Sequence, residues 1–322
     1  MFKGIDLTVS IMREMATSPS HWNANRSYVD VARKLGVDED TVRNRLKMMR
    51  EMGLLRGWRL IPNARLLGMV SSNVVLDFAD QESKDDAVTQ IRNAQGTVLI
   101  QHFYGKALQV TVFHREAEDP ERNLSQGVAA DVVTRWEVKL PRCEHKPKEL
   151  DWRVIAMMLR NTETKLPEIA AKVKASPRTV KRRVNLMMES SAFFMQPLLN
   201  LRKAMGVTPC QLLVKCAPAK KRAIDEAVAS KFERTVFKLT NSDTHSTFTI
   251  LCANVGEMKD ILGWAKSQPG VELAKTDILE QQDYVHDWLE REVKSRIENG
   301  EEEASTRSPP SRIETRVSKA LL

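Results

Sequence analysis

The sequence predicts an α+β fold of two tandem units, each a three-helix unit with a short wing followed by a β-α-β-β-α-β module. Three observations support this prediction: an internal repeat, helix-start residues at equivalent positions of both copies, and a recurring order of strands and helices. At 322 residues the chain exceeds the size at which one hydrophobic core usually stops growing, so several domains are expected.

The internal repeat aligns residues 30–51 with residues 168–189, a shift of 138 residues that also brings Thr111 onto Thr249. Because apolar positions and turn positions stay in register together, we interpret it as a tandem duplication. The predicted domains are residues 1–69 and 146–207 for the three-helix units, 70–140 and 208–280 for the modules, and 281–322 for a tail that is first helical and then disordered.

The three-helix units are predicted from their helix starts. Apolar residues at i, i+4 and i+7 indicate a first helix, and a second short helix precedes a tight turn. Asp38 and Ser176 then mark the start of a third helix, since their side-chain oxygens can accept the free amides of its first turn. This order of helices predicts a helix-turn-helix domain in each copy, followed by a wing with extended runs around Trp58 and Ile61 in the first.

Strand and helix patterns follow each wing in the order of a ferredoxin-like module. The second helix of the module is predicted at residues 119–130 and 256–267, and the last strand at 131–139 and 270–279. The four cysteines, Cys143, Cys210, Cys216 and Cys252, lack metal-ligand spacing and are expected to be reduced and mostly buried.

Positive charge is concentrated in the two helix-turn-helix regions. Residues 28–69 contain nine Lys/Arg against five Asp/Glu, and residues 166–207 contain eight against two, although the whole chain carries only +8. Local basicity of this kind indicates a polyanion partner.

Double-stranded DNA is the partner that this pattern predicts, with the third helices, 39–51 and 177–189, in successive major grooves. The alternative is that these are ordinary solvated helix faces. The predicted DNA-contacting residues are Thr41, Arg43, Asn44, Lys47 and Arg50 in the first helix, Arg56 and Arg59 on its wing, and Arg178, Thr179, Lys181, Arg182 and Asn185 in the second helix.

Catalysis is not expected. Asp38, Glu39 and Asp40 could in principle act as paired carboxylates, but capping and the helix dipole account for them. The sequence has no Gly-rich phosphate loop, Ser-His-Asp arrangement or metal cluster, so no cofactor is expected. It also has no long apolar run or secretion signal, which predicts a cytoplasmic protein without a membrane partner.

The chain resembles the Lrp/AsnC (feast/famine) family of archaeal and bacterial regulators. The resemblance rests on Ile5-Asp6, on residues 30–55 and on the wing with Arg65-Leu66-Leu67-Gly68. It implies sequence-specific DNA binding, transcription regulation, and sensing of a small effector such as an amino acid. The duplication implies either a homo-oligomer or a pseudo-dimer within one chain. The apolar second wing, residues 190–201, is expected either to pack against the protein or to contact DNA differently.

Two alternatives remain open at this stage. Siroheme decarboxylases, enzymes that resemble this architecture, are faintly matched by residues 101–114, where His102, Tyr104 and His114 could line a pocket. The second copy has Thr240, Ser242 and Cys252 at these positions. The second alternative is an interaction protein that pairs with related regulators and does not itself bind DNA.

Overall fold

The first three helices of the chain pack together near its N-terminal end. The computed structural model describes residues 5–18, 21–22, 27–125, 128–203, 206–240 and 242–306. Apolar residues on one side of each helix meet in a common core. The first-half elements are α1 (Ile5–Met15), β1 (Ala16–Ser18), β2 (His21–Trp22), α2 (Tyr28–Leu35), α3 (Glu39–Glu51), β3 (Leu55–Pro62), β4 (Val70–Asp77), α4 (Gln81–Asn93), β5 (Thr97–Phe103), β6 (Ala107–His114), α5 (Pro120–Ser125) and β7 (Asp131–Glu137).

The second half follows the same order of principal elements after a linker of irregular structure, and it ends in an additional long helix. Its elements are α6 (Glu149–Arg160), α7 (Leu166–Lys172), α8 (Pro177–Glu189), β8 (Phe193–Leu199), β9 (Thr208–Cys216), α9 (Pro218–Lys231), β10 (Thr235–Thr240), β11 (His245–Cys252), α10 (Val255–Ser267), β12 (Val271–Tyr284) and α11 (Asp287–Thr306).

The eight principal strands form one antiparallel sheet in the order β10-β11-β9-β12-β5-β6-β4-β7. Within each half the fourth strand lies beside the first, as in a ferredoxin-like module. β12 joins the halves because its first part pairs with β9 and its last part pairs with β5. Sequence reasoning ended this strand at residue 279, but the five residues beyond it, through Tyr284, belong to this seam.

The sheet is curled, so that its inner face is enclosed. Trp136 of edge strand β7 stacks on His245 of β11 with ring centroids 4.8 Å apart. The outer face packs on the helices in two apolar cores, one under α4 and one under α9 and α10. The inner face carries a ring of three buried glutamines, Gln101, Gln109 and Gln211, whose side-chain amides donate to one another at 2.7–3.0 Å.

The two wings pair with each other instead of forming separate hairpins. β3 and β8 make an antiparallel ladder from Leu55 opposite Leu199 to Pro62 opposite Phe193. The apolar second wing therefore packs against the protein, because pairing with β3 satisfies its backbone and buries Phe193 and Phe194. We call this pair of strands the wing ribbon.

The helical parts of the chain differ from the prediction at two places. α5 covers six residues, where the sequence predicted a helix over 119–130; residues 126–127 lie outside the described residues. The tail begins as strand, and α11 continues to Thr306 through residues expected to be disordered. Trp288, Leu289 and Val293 anchor α11 in the core that includes α6. Residues 307–322 are outside the described residues.

The cysteine prediction is confirmed, because all four thiols are free and Cys210, Cys216 and Cys252 are buried. Helix capping is confirmed as well: the Thr41 amide donates to Asp38 at 2.5 Å and the Thr179 amide to Ser176 at 3.1 Å.

The turn before α8 stores backbone strain that the turn before α3 avoids. Gly36 and Lys174 occupy equivalent left-handed positions, with φ of 65° and 54°. The left-handed conformation costs about 1–2 kcal/mol for a residue with a side chain, whereas glycine loses about 0.5–1 kcal/mol through its larger unfolded-state entropy. We therefore expect Lys174→Gly to stabilise the chain by about 0.5–1 kcal/mol in urea unfolding. Gly36→Ala is the reciprocal control and should destabilise; a loss of stability in Lys174→Gly would contradict this account.

Candidate nucleic-acid interface

The position of α3 is fixed by an apolar stripe. Val42, Leu46 and Met49 are buried, which leaves the opposite side of the helix exposed. Asp38 caps the helix, and hydrogen bonding by the Thr41 backbone holds the pKa of the Asp38 carboxyl below its ordinary value. Thr41 is itself half-buried at this cap.

The exposed cations of α3 are already paired with acids. Arg43 bonds to Glu39 and lies over the Tyr28 ring at 5.5 Å, and Lys47 is 3.7 Å from Glu51. A third pair joins Arg50 to Glu163 at 3.4 Å. Asn44 is also exposed. The helix contains four Lys/Arg and three Asp/Glu, so its outer face is close to neutral.

The position of α8 is fixed both by its apolar stripe and by a buried ion pair. Val180, Val184 and Met187 are buried. Arg183 donates to both oxygens of Asp151, whose side chain is fully buried, one of them at 2.6 Å. Burial alone raises the pKa of Asp151, but hydrogen bonds from Arg183, the Lys148 amide and His145 outweigh it and hold this pKa below its ordinary value.

The outer face of α8 is strongly basic. Arg178, Lys181 and Arg182 are exposed, and none of the three has an acidic partner in the part of the chain that the structure describes. Asn185 is exposed beside them, and Thr179 is half-buried at the cap. With four Lys/Arg and one Asp/Glu, this helix is the more cationic of the two.

The structure separates the two arginines of the first wing. Arg56 is exposed, as a phosphate contact requires. Arg59 is only partly exposed, and its Nε is buried without a hydrogen-bond partner in the described structure. Burial raises the pKa of Tyr284, the last residue of β12, and the charge of Arg59 opposes this rise. Arg59 is therefore set apart from the exposed residues predicted to contact DNA. The local sequence could not show its position, because the strand that pairs with β3 is β8 of the second half.

The histidine segment does not form a shared pocket. His102 contacts Asp283 at 3.1 Å, and Arg92 pairs with the same carboxylate at 2.6 Å. His114 is buried and bonded to Ser72 at 2.9 Å, whereas Tyr104 is 72% exposed. Of the second-copy positions, Cys252 is buried in the outer-face core of its half.

A cavity of about 130 Å³ lies between the wing ribbon and the inner face of the sheet. It was not foreseen from the sequence, since its walls come from both halves. Apart from Lys139, the described residues that line it are uncharged, and the polar ones include Asn73, Gln101, Gln109, Thr111, Gln196 and Tyr284.

The described residues include no cluster of His, Cys, Asp or Glu able to hold a metal ion. No helix among these residues is both long enough and apolar enough to span a membrane.

No family model matches the chain. A stretch of 46 residues, 14% of the chain, is 41% identical to the HTH-type transcriptional regulator Ptr1 of Methanocaldococcus jannaschii. That match covers 31% of the regulator, so the chain spans about a third of the length of this curated relative.

Solved structures of the siroheme decarboxylase NirDL share the fold over nearly the whole chain. One has a TM-score of 0.54 at 12% identity and covers 91% of this chain and 99% of NirDL. A second, with an iron-uroporphyrin III analogue, has a TM-score of 0.52 at 13% identity and covers 92% and 99%. E. coli AsnC has a TM-score of 0.33 at 15% identity, covering 42% of this chain and 94% of AsnC.

The sequence-based expectation that this chain is not an enzyme is wrong, because the architecture from which it was inferred also occurs in an enzyme. NirDL, an enzyme by its name, has the same fold across 91% of the chain. A fold supports several functions through the sites placed on it, so helix order and local charge do not exclude catalysis.

The Asp151–Arg183 pair generates a test of how α8 is held. Asp151→Asn leaves a buried guanidinium poorly paired, and we expect a loss of about 3 kcal/mol at neutral pH. Because the native pKa of Asp151 is lowered, the pair stabilises the fold above the ordinary Asp value of 3.8, and this contribution falls as pH drops through the lower native pKa.

Urea unfolding measured from neutral pH down to about pH 3 gives the difference in free energy of unfolding between wild type and Asp151→Asn. We expect this difference to decrease as the pH is lowered. Asp283→Asn is a matched control, since that carboxylate also has a lowered pKa but lies away from α8. A gap that is constant with pH would contradict the assignment.

Proposed function

We propose that this chain is a sequence-specific DNA-binding transcription regulator whose main DNA contact is the outer face of α8. The observation that carries this proposal is the set of three exposed cations, Arg178, Lys181 and Arg182, which have no acidic partner in the described part of the chain. They lie on one side of a helix that Ser176 caps and a buried ion pair holds in place. Cations without acidic partners are available to phosphate oxygens and guanine edges. The partial similarity to the regulator Ptr1 supports the same proposal.

The proposal includes a pseudo-dimer within one chain. Trp58 lies opposite Pro197 and Arg59 opposite Gln196 in the wing ribbon. The 138-residue shift makes Gln196 the equivalent of Trp58, and Pro197 the equivalent of Arg59, so the two pairs are reciprocal. Reciprocal pairing is characteristic of a two-fold axis, which in turn relates α3 to α8, the helices that precede the two strands.

The two helices are proposed to contribute unequally. Arg43, Lys47 and Arg50 of α3 already form ion pairs with acidic side chains. The negative charge of these acids also repels phosphate. DNA binding through α3 must break or share these pairs, which costs free energy that α8 does not lose. We therefore assign α3, with Asn44 and the wing residue Arg56, a weaker supporting contact.

Binding to duplexes selected from random DNA by the full chain tests this proposal. Lys181→Gln should weaken specific binding about 10- to 100-fold and lower the salt dependence by about one phosphate contact. Arg43→Gln should have a smaller effect, because Glu39 already neutralises that arginine.

The matched control is Arg222→Gln on α9, where the side chain is exposed and paired with Glu226. This change should leave DNA binding unaltered. Equal affinity of wild type and Lys181→Gln at moderate salt would rule out α8 as the DNA contact.

A second candidate function is tetrapyrrole chemistry, and one observation favours it: the fold similarity to NirDL extends over 91% of the chain. The cavity of about 130 Å³ is smaller than the roughly 300–1,000 Å³ typical of pockets for drug-sized ligands, so a tetrapyrrole bound at this place would have to separate the wing ribbon from the sheet.

If this candidate holds, iron-uroporphyrin III added to the full chain changes its visible absorbance with a stoichiometric end point. The wing-ribbon variant Gln196→Trp, which fills the cavity from β8, should then weaken the change. Absence of any absorbance change in the wild-type chain removes the candidate.

A further inference from the structure

The cavity under the wing ribbon is lined on its sheet side by hydroxyl groups that are buried and unbonded. Ser71 is 2% exposed and Thr249 is 5% exposed, and both side chains line the cavity. Neither hydroxyl has a hydrogen-bond partner among the residues that the structure describes. A hydroxyl removed from water without a partner is destabilising, so a compound that bonds to these two groups gains binding free energy.

Amide groups on the same wall have unused donors. Thr111 donates to the side-chain oxygen of Asn73 at 2.7 Å, and the Asn73 amide nitrogen has no acceptor in the described part of the chain. In the glutamine ring, Gln101 and Gln109 each donate one of their two side-chain N–H groups to a neighbour. The cavity therefore offers amide donors beside hydroxyls that can both donate and accept.

Apolar side chains enclose the same space. Leu99 and Phe113 line the cavity from the sheet, and Ile61 and Phe194 line it from the wing ribbon. Ligand pockets typically combine such apolar walls with a few placed polar groups. A ligand with a carbon frame is therefore favoured over a small, wholly polar molecule.

The cavity has no free charge to balance an ionic ligand. Lys139 is the one charged residue among the described residues that line it. Its ammonium group is paired with Asp243 and its side chain is 63% exposed, so this charge is already compensated and in contact with solvent. Because an ion without a partner is costly to remove from water, an uncharged ligand is favoured.

The volume limits the size of the ligand. A cavity of about 150 Å³ in a well-packed core accepts a benzene molecule. The cavity under the wing ribbon is close to this size, at about 130 Å³. It therefore holds roughly one six-membered ring with small substituents.

We propose that this cavity binds an uncharged cyclic amide of the size of a pyrimidine base, such as uracil or thymine. The carbonyl oxygens of such a ring accept from the free amide donors, its N–H groups donate to the hydroxyl oxygens, and its ring carbons contact the apolar walls. The site is separate from the proposed DNA contact, because none of the residues that line it belongs to α8.

Thermal unfolding of the full chain with matched compounds tests the site. We expect uracil or thymine to raise the unfolding midpoint in a concentration-dependent way. Three probes each change one property: the dimethyluracil that is methylated at both ring nitrogens lacks the N–H donors, orotate adds a carboxylate, and toluene has no polar group. Each probe should raise the midpoint less than the free base, because it leaves the hydroxyls unbonded or brings in a charge without a partner.

Two variants locate the binding. Thr249→Val and Ser71→Ala each remove one hydroxyl and should weaken the affinity for the active base about 3- to 10-fold, the range for one neutral hydrogen bond. Without ligand, neither change should lower the unfolding midpoint, since the hydroxyl that is removed has no partner among the described residues. A hydroxyl with a purely structural role would lower the midpoint and leave the affinity unchanged.

Thr276→Val on β12 is the matched control. Thr276 lies opposite Leu212, which belongs to the core on the outer face of the sheet, so this variant should bind the base like wild type.

The unliganded unfolding midpoint of each variant also shows whether it is folded. The proposal is overturned if neither base stabilises the wild-type chain, if toluene or the dimethyl compound stabilises it equally, or if folded Thr249→Val and Ser71→Ala both retain full affinity. These measurements contain no DNA, so their outcome is independent of whether Lys181→Gln affects DNA binding.

Discussion

Pairing of β3 with β8 is the constraint on which the arrangement of both halves depends. Among the described residues neither strand has a hairpin partner in its own half, so the ladder between the two strands is what pairs their backbone groups within a sheet. The same ladder places α3 and α8 at its two ends and covers the cavity on the inner face of the sheet. Asn63 reinforces this junction, since its buried side chain donates to the carbonyls of Pro141 and Ser191.

The inner face of the sheet is unusual because polar side chains occupy a position where apolar packing is the common solution. Gln101, Gln109 and Gln211 satisfy one another in a closed ring, which makes their burial tolerable. Val75, Trp136, Leu213 and Leu273 supply a small apolar cluster on the same face. A satisfied polar ring specifies one register of the two halves.

The functional conclusion depends on which charges have acidic partners, and similarity of fold to known proteins does not show this. α3 and α8 each contain four Lys/Arg, yet among the described residues acids pair with the exposed cations of α3 and not with those of α8. NirDL shows that an enzyme is built on the same fold. Binding to DNA therefore has to be argued from particular residues, those on the outer face of α8, and not from the fold.

The sequence by itself determined the local features: the caps at Asp38 and Ser176, the apolar stripes, the buried cysteines and the order of strands and helices. Such features depend on residues a few positions apart, whose periodicity is visible in the chain. Only the tertiary structure decided that β3 pairs with β8, that β12 continues to Tyr284 along β5, and that Arg59 turns inward. These depend on contacts between residues more than 100 positions apart, which neither spacing nor charge specifies.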